Sequence, residues 1–246
     1  MDLGLNGRTV IVCGASQGMG LAIAEVLAAE GANVAMFARR HDELKHAAER
    51  LGALAVPGDL TAPADVSRLV EATLERFGGV DILVLNGGGP PPGTAAAMTA
   101  EQVGAAVELL LTSHVRLVGL CLPHLRASGH GRIVAIESTS VKEPLPNLAL
   151  SNAIRPGVSG WLRTLARELG PDAITVNTIA PGRIDTERLR SLYPSGLGDS
   201  DLESIPLRRP GTPVEIANVV CFLASDRAAY VTGTVLAVDG GFSRGA

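Results

Sequence analysis

One stretch limits the fold more than any other. Residues 8–13 (RTVIVC) run into Gly14-Ala15-Ser16-Gln17-Gly18-Met19-Gly20, and an apolar-periodic segment follows over residues 21–30. A short β-branched run of this kind predicts a buried strand, and the periodic segment predicts a helix. Glycines between the two let a backbone approach a ligand closely, and a helix N-terminus offers unpaired N–H groups to an anion. Together they predict the phosphate-binding corner of a dinucleotide fold, with Gly14, Ser16, Gln17, Gly18, Met19 and Gly20 as contacts. The spacing is GxxxGxG, so the strand–turn–helix context carries the expectation and the motif alone does not.

The same alternation continues to the end of the chain. Strands are predicted at residues 33–37, 53–56, 81–85, 132–136, 173–179 and 234–238. Helices are predicted at residues 41–51, 64–77, 99–126 and 212–224, with a further apolar helix around Trp161. Alternating strands and helices imply an α/β fold: a single-domain, Rossmann-type, doubly wound parallel sheet of about seven strands flanked by helices. The 246 residues, 46% of them hydrophobic, suffice for one large core, and no linker or repeat divides residues 1–246. Residues 187–205 are rich in Gly, Ser and Asp without a clear period, which predicts a mobile substrate loop. Leu189, Leu192, Tyr193 and Leu197 within it point to a small-molecule, partly apolar substrate.

Charge and cysteine content exclude other classes. The net charge of −4, with both signs interspersed, lacks the basic footprint of a nucleic-acid binder. No apolar run of about 18 residues is read in the sequence, so no membrane span is expected. Cys13, Cys121 and Cys221 lie far apart in apolar runs, which predicts buried free thiols in a reducing cytosol and no metal site. Acidic Asp2 and the early strand do not resemble a signal peptide, so a cytoplasmic location is expected.

The end of the second strand reads on cofactor choice. An acidic residue there binds a ribose 2′-hydroxyl and repels a 2′-phosphate. This chain has Ala38-Arg39-Arg40, which favours NADP(H) over NAD(H), with Arg39 as the phosphate ligand. The glycines after Asn86, at the end of the 81–85 strand, predict a second close approach to a ligand.

These segments resemble the short-chain dehydrogenase/reductase family, particularly 3-oxoacyl-acyl-carrier-protein reductases. The resemblance rests on Gly14, Gly18 and Gly20; Asp59; Asn86-Gly87; Gly131-Arg132-Ile133-Val134 leading to Ser138; Asn177 with Ala180-Pro181-Gly182; Ile184-Asp185-Thr186; Val231-Thr232-Gly233; and Val238-Asp239-Gly240-Gly241. It implies that Asp59 and Leu60 flank the adenine. Asn86 and Gly87 are implied near the cofactor, and Pro181, Gly182, Ile184 and Thr186 at its nicotinamide end. It also implies a homo-oligomer, tetramer or dimer, formed through the two long helices and the C-terminal strand.

The family's catalytic set is Asn, Ser, Tyr and Lys, and here the pattern breaks. Ser138 matches the serine, but Ser151 stands at the tyrosine position, Arg155 at the lysine position and Leu110 at the asparagine position. A tyrosine beside a lysine can exchange a proton near neutrality, whereas a serine hydroxyl is a far weaker acid and an arginine stays charged. Pro156 adds a further departure: a helix either starts near it or kinks there, freeing the carbonyl of Asn152 and moving Arg155. Candidate surrogates are His114 one turn after Leu110, Tyr193 in the 187–205 segment, and Lys142 or Glu143 beyond Ser138; Tyr230 reads as structural. Three functions follow: an NADP(H)-dependent carbonyl/alcohol oxidoreductase using Ser138, Ser151 and Arg155; a non-redox enzyme holding the nucleotide structurally; or a catalytically degenerate binding partner.

Overall fold

The apolar runs form seven parallel strands in the order β3-β2-β1-β4-β5-β6-β7. The computed structural model describes residues 2–244. The strands are β1 (Thr9–Cys13), β2 (Asn33–Ala38), β3 (Leu54–Pro57), β4 (Ile82–Leu85), β5 (Arg132–Ile136), β6 (Thr175–Pro181) and β7 (Val235–Val238). Strands β1, β4, β5 and β6 are buried along their whole length, as expected of a parallel sheet covered on both faces.

Side chains alternate between the faces with a period of two. Val10, Val12, Met36 and Val84 meet α1 (Gly18–Ala29), α2 (His41–Leu51) and, further along, α9 (Pro213–Ala224) through Ile23, Leu44 and Val220. Ile11, Phe37, Leu83 and Ile133 face the other layer: α3 (Pro63–Phe77), α5 (Ser113–Ser128) and α6 (Ala149–Leu169), through Leu69, Leu117 and Leu162.

Helix starts follow local chemistry. Thr99 caps α4 (Ala100–Val107) in a reciprocal pair with Gln102, and Thr212 caps α9 with Glu215, with Pro213 in the first turn. Helix α1 differs: Gln17 precedes it without a side-chain hydrogen bond to its first turn.

Four expectations are corrected. The segment 187–205 holds two short helices, α7 (Glu187–Leu192) and α8 (Asp199–Glu203). Thr186 caps α7 and Asp201 reaches back to Gly198 N; helices of one or two turns are too short to display a period. Of the two alternatives at Pro156, a helix start there is excluded: α6 starts at Ala149, seven residues earlier, and continues through the proline. The long helix expected at 99–126 is interrupted by a π turn, Glu108–Thr112, between α4 and α5. The segment Ala100–Ser128 also reaches a mean hydropathy of 1.6 over 18 residues, enough by length and composition to cross a bilayer. Its Leu110, Leu117, Cys121 and Leu125 are buried against the sheet, and 39% of that window is buried within the fold. Strand β6 begins two residues later than expected because Ala173 turns the chain in the left-handed region at φ 57°.

Candidate active site

The strand order reverses between β1 and β4, and in such sheets ligands bind at that switch point, beyond the carboxyl ends of the strands. A cleft of ≈ 460 Å³ opens there. One wall is the glycine turn (Gly14, Ser16, Gln17, Gly18, Met19) and another the ends of β2 and β3 (Ala38, Arg39, Arg40, Asp59, Leu60). The third is Asn86 to Gly89 with Pro91 and Leu109, and Thr186 to Arg188 lie across from it. Gly20 lies buried behind this lining, where a side chain would strike the carbonyl of Gly14. Asn86 donates Nδ2 to the Cys13 carbonyl at 3.2 Å and so ties the ends of β4 and β1 together across the switch. Pro181, Gly182 and Ile184 stand at or just beyond the carboxyl end of β6, outside the cleft walls.

Two ion pairs line the cleft. Arg39, with an 80% exposed side chain, stands 3.8 Å from Asp59. Arg40 donates to Gln17 Oε1 at 2.5 Å and to Glu187 Oε2 at 3.0 Å, so it joins the glycine turn to α7. The uncapped N-terminus of α1 leaves N–H groups free at the floor of the cleft, next to positive charge at the β2 end. This arrangement can hold a chain of phosphates with a further phosphate near Arg39.

The replaced catalytic positions form a buried polar cluster. Arg155 is 5% exposed and spends its donors inward. Its Nε donates to Ser151 Oγ at 3.0 Å, its Nη1 to Glu137 Oε2 at 2.9 Å and its Nη2 to the Gly88 carbonyl at 2.5 Å. Ser151 Oγ also meets Ser140 Oγ at 3.1 Å. Ser138 is not the serine that touches Ser151: its Oγ accepts from Ser140 N at 3.1 Å and caps a 3₁₀ turn, Thr139–Val141. Burial pushes the Glu137 carboxyl above the usual carboxylate range, and the Arg155 guanidinium counters only part of that rise. Glu137 Oε1 meets no protein donor.

Leu110 sits in the π turn and is fully buried, so it brings no polar group to the cluster. Within that turn the Leu109 carbonyl accepts from Ser113 Oγ at 2.7 Å. His114 is fully buried beneath Gly87, with neither ring nitrogen hydrogen-bonded to protein. Desolvation, and then the Arg155 charge, push its pKa down to about 3, so it is a neutral ring and no ready base. Tyr193 lies 5.5 Å from the Arg183 guanidinium in a cation–π stack, and Tyr230 is fully exposed instead of packed. Lys142 and Glu143 lie outside the cleft lining.

Sequence reading missed Glu137, Ser140 and Arg188. A signal for Glu137 was present: an acid closing the apolar strand RIVAIE, in a chain that puts arginine where a lysine belongs. Nothing in the spacing singled out Ser140 over Ser138.

Fold and site thus define a dinucleotide-fold oxidoreductase whose proton-handling residues have been exchanged. A family model described as Enoyl-(Acyl carrier protein) reductase matches residues 14–243. The chain is 37% identical over 243 residues to the 3-oxoacyl-[acyl-carrier-protein] reductase FabG of Escherichia coli, covering 97% of this chain and 98% of that one. It superimposes on L-sorbose reductase from Gluconobacter frateurii, solved with NADPH and L-sorbose, with a TM-score of 0.92, 36% identity and full coverage of both chains. An NADPH-bound short chain oxidoreductase from Pseudomonas aeruginosa PAO1, described as containing an atypical catalytic center, matches with a TM-score of 0.92 and 32% identity over 99% of each chain. The chain belongs to the short-chain dehydrogenase/reductase family.

Proposed function

We propose that the protein is an NADP(H)-dependent oxidoreductase that interconverts a carbonyl and an alcohol without the family's tyrosine and lysine. The uncapped α1 N-terminus, the glycine turn and Arg39 support nucleotide binding, with Asp59 and Leu60 toward the adenine and Asn86, Gly87 and Thr186 toward the reacting end. Pro181, Gly182 and Ile184 are assigned as the backing of that end from their place in the sequence. Relatives with bound NADPH support the choice of nucleotide. A bound NADPH supplies the hydride.

The observation that carries the reading is the bond from Arg155 Nε to Ser151 Oγ. An arginine can only donate, so the Ser151 oxygen is the acceptor and its own proton is left to point elsewhere. It can go to Ser140 or to the oxygen of a substrate carbonyl. The guanidinium behind it polarises the hydroxyl toward a growing oxyanion, and preorganised donors of this kind carry much of catalysis in sites that exclude water. Arg155 then acts through Ser151 and supports the Gly88 end of the nucleotide site through its carbonyl. Ser138 fixes the turn that presents Ser140. Solvent supplies the proton that serine is too weak an acid to release.

A homo-oligomer is supported by apolar side chains left in water: Val115 and Leu120 on α5, Phe222 on α9, Tyr230, and Leu236 on edge strand β7. Three free buried cysteines support a cytoplasmic setting. The test is calorimetric titration with NADPH against NADH, followed by NADPH oxidation with ketones, aldehydes and 3-oxoacyl thioesters. Tight NADPH binding with turnover of one carbonyl class is expected. Tight binding with no turnover of any class would favour the binding-partner reading.

A further inference from the structure

The charges around the cleft do not balance. Five charged residues line it: Arg39, Arg40, Asp59, Glu187 and Arg188. Arg39 stands with Asp59 and Arg40 with Glu187. Among the described residues, Arg188 has no carboxylate at salt-bridging distance. Its Nη2 donates to the Pro90 carbonyl at 2.6 Å. Its Nη2 and Nε lie 3.3 and 3.4 Å from where a side chain on Gly89 would start, so the guanidinium lies flat against the bare glycine run.

Arg155 reaches the same loop from behind and donates to the Gly88 carbonyl, two residues before the one that Arg188 uses. Two guanidinium groups therefore converge on the loop after β4, and one carboxylate, the buried Glu137, answers Arg155. Arg188 is exposed as a residue, but its guanidinium end is part-buried against this loop, where burial and then the Arg155 charge lower its pKa. A planar, partly dehydrated guanidinium with free N–H groups and no anion is the donor geometry that carboxylates and phosphates match.

We propose that Arg188 binds an acidic group, a carboxylate or a phosphate, that enters the cleft with the ligand. This rests on the oxidoreductase reading above and deepens it: the substrate class becomes a carbonyl or alcohol compound that carries an acidic group. The same chemistry is present in the diphosphate of the nucleotide, so the test has two arms. The full chain and its Arg188→Gln and Arg188→Lys variants are titrated calorimetrically with NADPH. The NADP⁺-saturated proteins are then titrated with levulinate and with 2-pentanone, ketones matched except for the acid.

Wild type is expected to prefer levulinate. Arg188→Gln is expected to lose that preference by about 10- to 100-fold, the worth of a hydrogen bond to a charged group, and Arg188→Lys to keep part of it. A loss of that size in NADPH affinity, with the ketone pair unaffected, assigns the acidic group to the nucleotide diphosphate and upholds Arg188 as an anion site. Unchanged NADPH affinity together with an unchanged ketone preference, or with no ketone binding by wild type, overturns the proposal. Both arms read binding without turnover. A protein that shows the Arg188 effect but never oxidises NADPH therefore refutes the redox reading and leaves the anion site standing, and turnover with no Arg188 effect does the reverse.

Discussion

His114 offers a direct test of the electrostatics beneath the cleft. It is fully buried, has no protein hydrogen-bond partner and feels the Arg155 charge, and its pKa is pushed from 6.5 to about 3. A histidine depressed in the folded state binds protons more readily when unfolded. Its contribution is intact above about pH 6.5 and is lost as pH falls toward the folded value. At about pH 5 the solution is roughly 1.5 units below the pKa of the unfolded ring, and at about 1.4 kcal/mol per unit the penalty is about 2 kcal/mol. His114→Leu removes the titrating group and both unmet nitrogens while keeping similar bulk under Gly87. Urea unfolding of both proteins at pH 7 and pH 5 should show the variant losing about 2 kcal/mol less than wild type across that interval. All other titrating groups cancel in the difference. Equal losses would mean that His114 takes up its proton in the folded protein, and the account of a buried neutral ring beneath Gly87 would be wrong.

Three further outcomes can be checked alongside it. Glu137→Gln strands the Arg155 charge in a site where the two side chains are 0% and 6% exposed; the cost of about 3–5 kcal/mol should lower the calorimetric Tm by roughly 6–20 °C, and Glu137→Leu with Arg155→Met should recover most of it. Arg39→Ala should weaken NADPH by about tenfold and leave NADH unchanged by titration, whereas Arg40→Ala also frees Gln17 and Glu187 and should weaken both nucleotides. Ser151→Ala should lower kcat by about 10²- to 10³-fold with little change in NADPH affinity, the signature of a donor that acts mainly in the transition state.

The fold was legible because its signals are repeated and local. Seven apolar runs, each followed by a turn or a capped helix, leave little choice but a parallel sheet, and the glycine turn marks its switch point. Binary patterning located β5 to the residue, and where it erred the cause was a single conformation such as the left-handed Ala173. The two short helices after Thr186 were hidden because one or two turns carry no period. The site was half legible. Residues beside the glycine turn and at the ends of β2 to β4 could be named from their place along a strand. Contacts made across the fold could not: Ser140 meets Ser151 from 11 positions away, Glu137 meets Arg155 from 18, and Arg188 reaches Pro90 from 98. Counting from Ser138 could not show that the 3₁₀ turn at Thr139–Val141 brings Ser140 to Ser151 while Ser138 Oγ accepts from the backbone.

The same contacts show why the exchange of catalytic residues is not reversible two positions at a time. The fork of Arg155 serves three close acceptors at once, Ser151 Oγ, Glu137 Oε2 and the Gly88 carbonyl, with the Ile136 carbonyl at 3.5 Å as a fourth. A lysine offers one ammonium on a shorter reach and cannot span all three. Beside a fully buried Glu137 that ammonium is drawn inward, away from any tyrosine placed at 151. A tyrosine at 151 must also fit where a serine oxygen lies 3.1 Å away, an overpacking worth about 1–3 kcal/mol. Ser151→Tyr with Arg155→Lys is therefore expected to return much less than the factor of about 10² to 10⁴ in kcat that a positioned general acid contributes. Adding Glu137→Gln frees the ammonium to depress the tyrosine pKa, and the triple variant should outpace the double in NADPH oxidation, with a rate that rises through the tyrosine's lowered pKa in the alcohol-oxidising direction. A double variant that already reaches the full gain would show that Glu137 does not hold the residue at 155, and that the buried pair is a bystander to the chemistry.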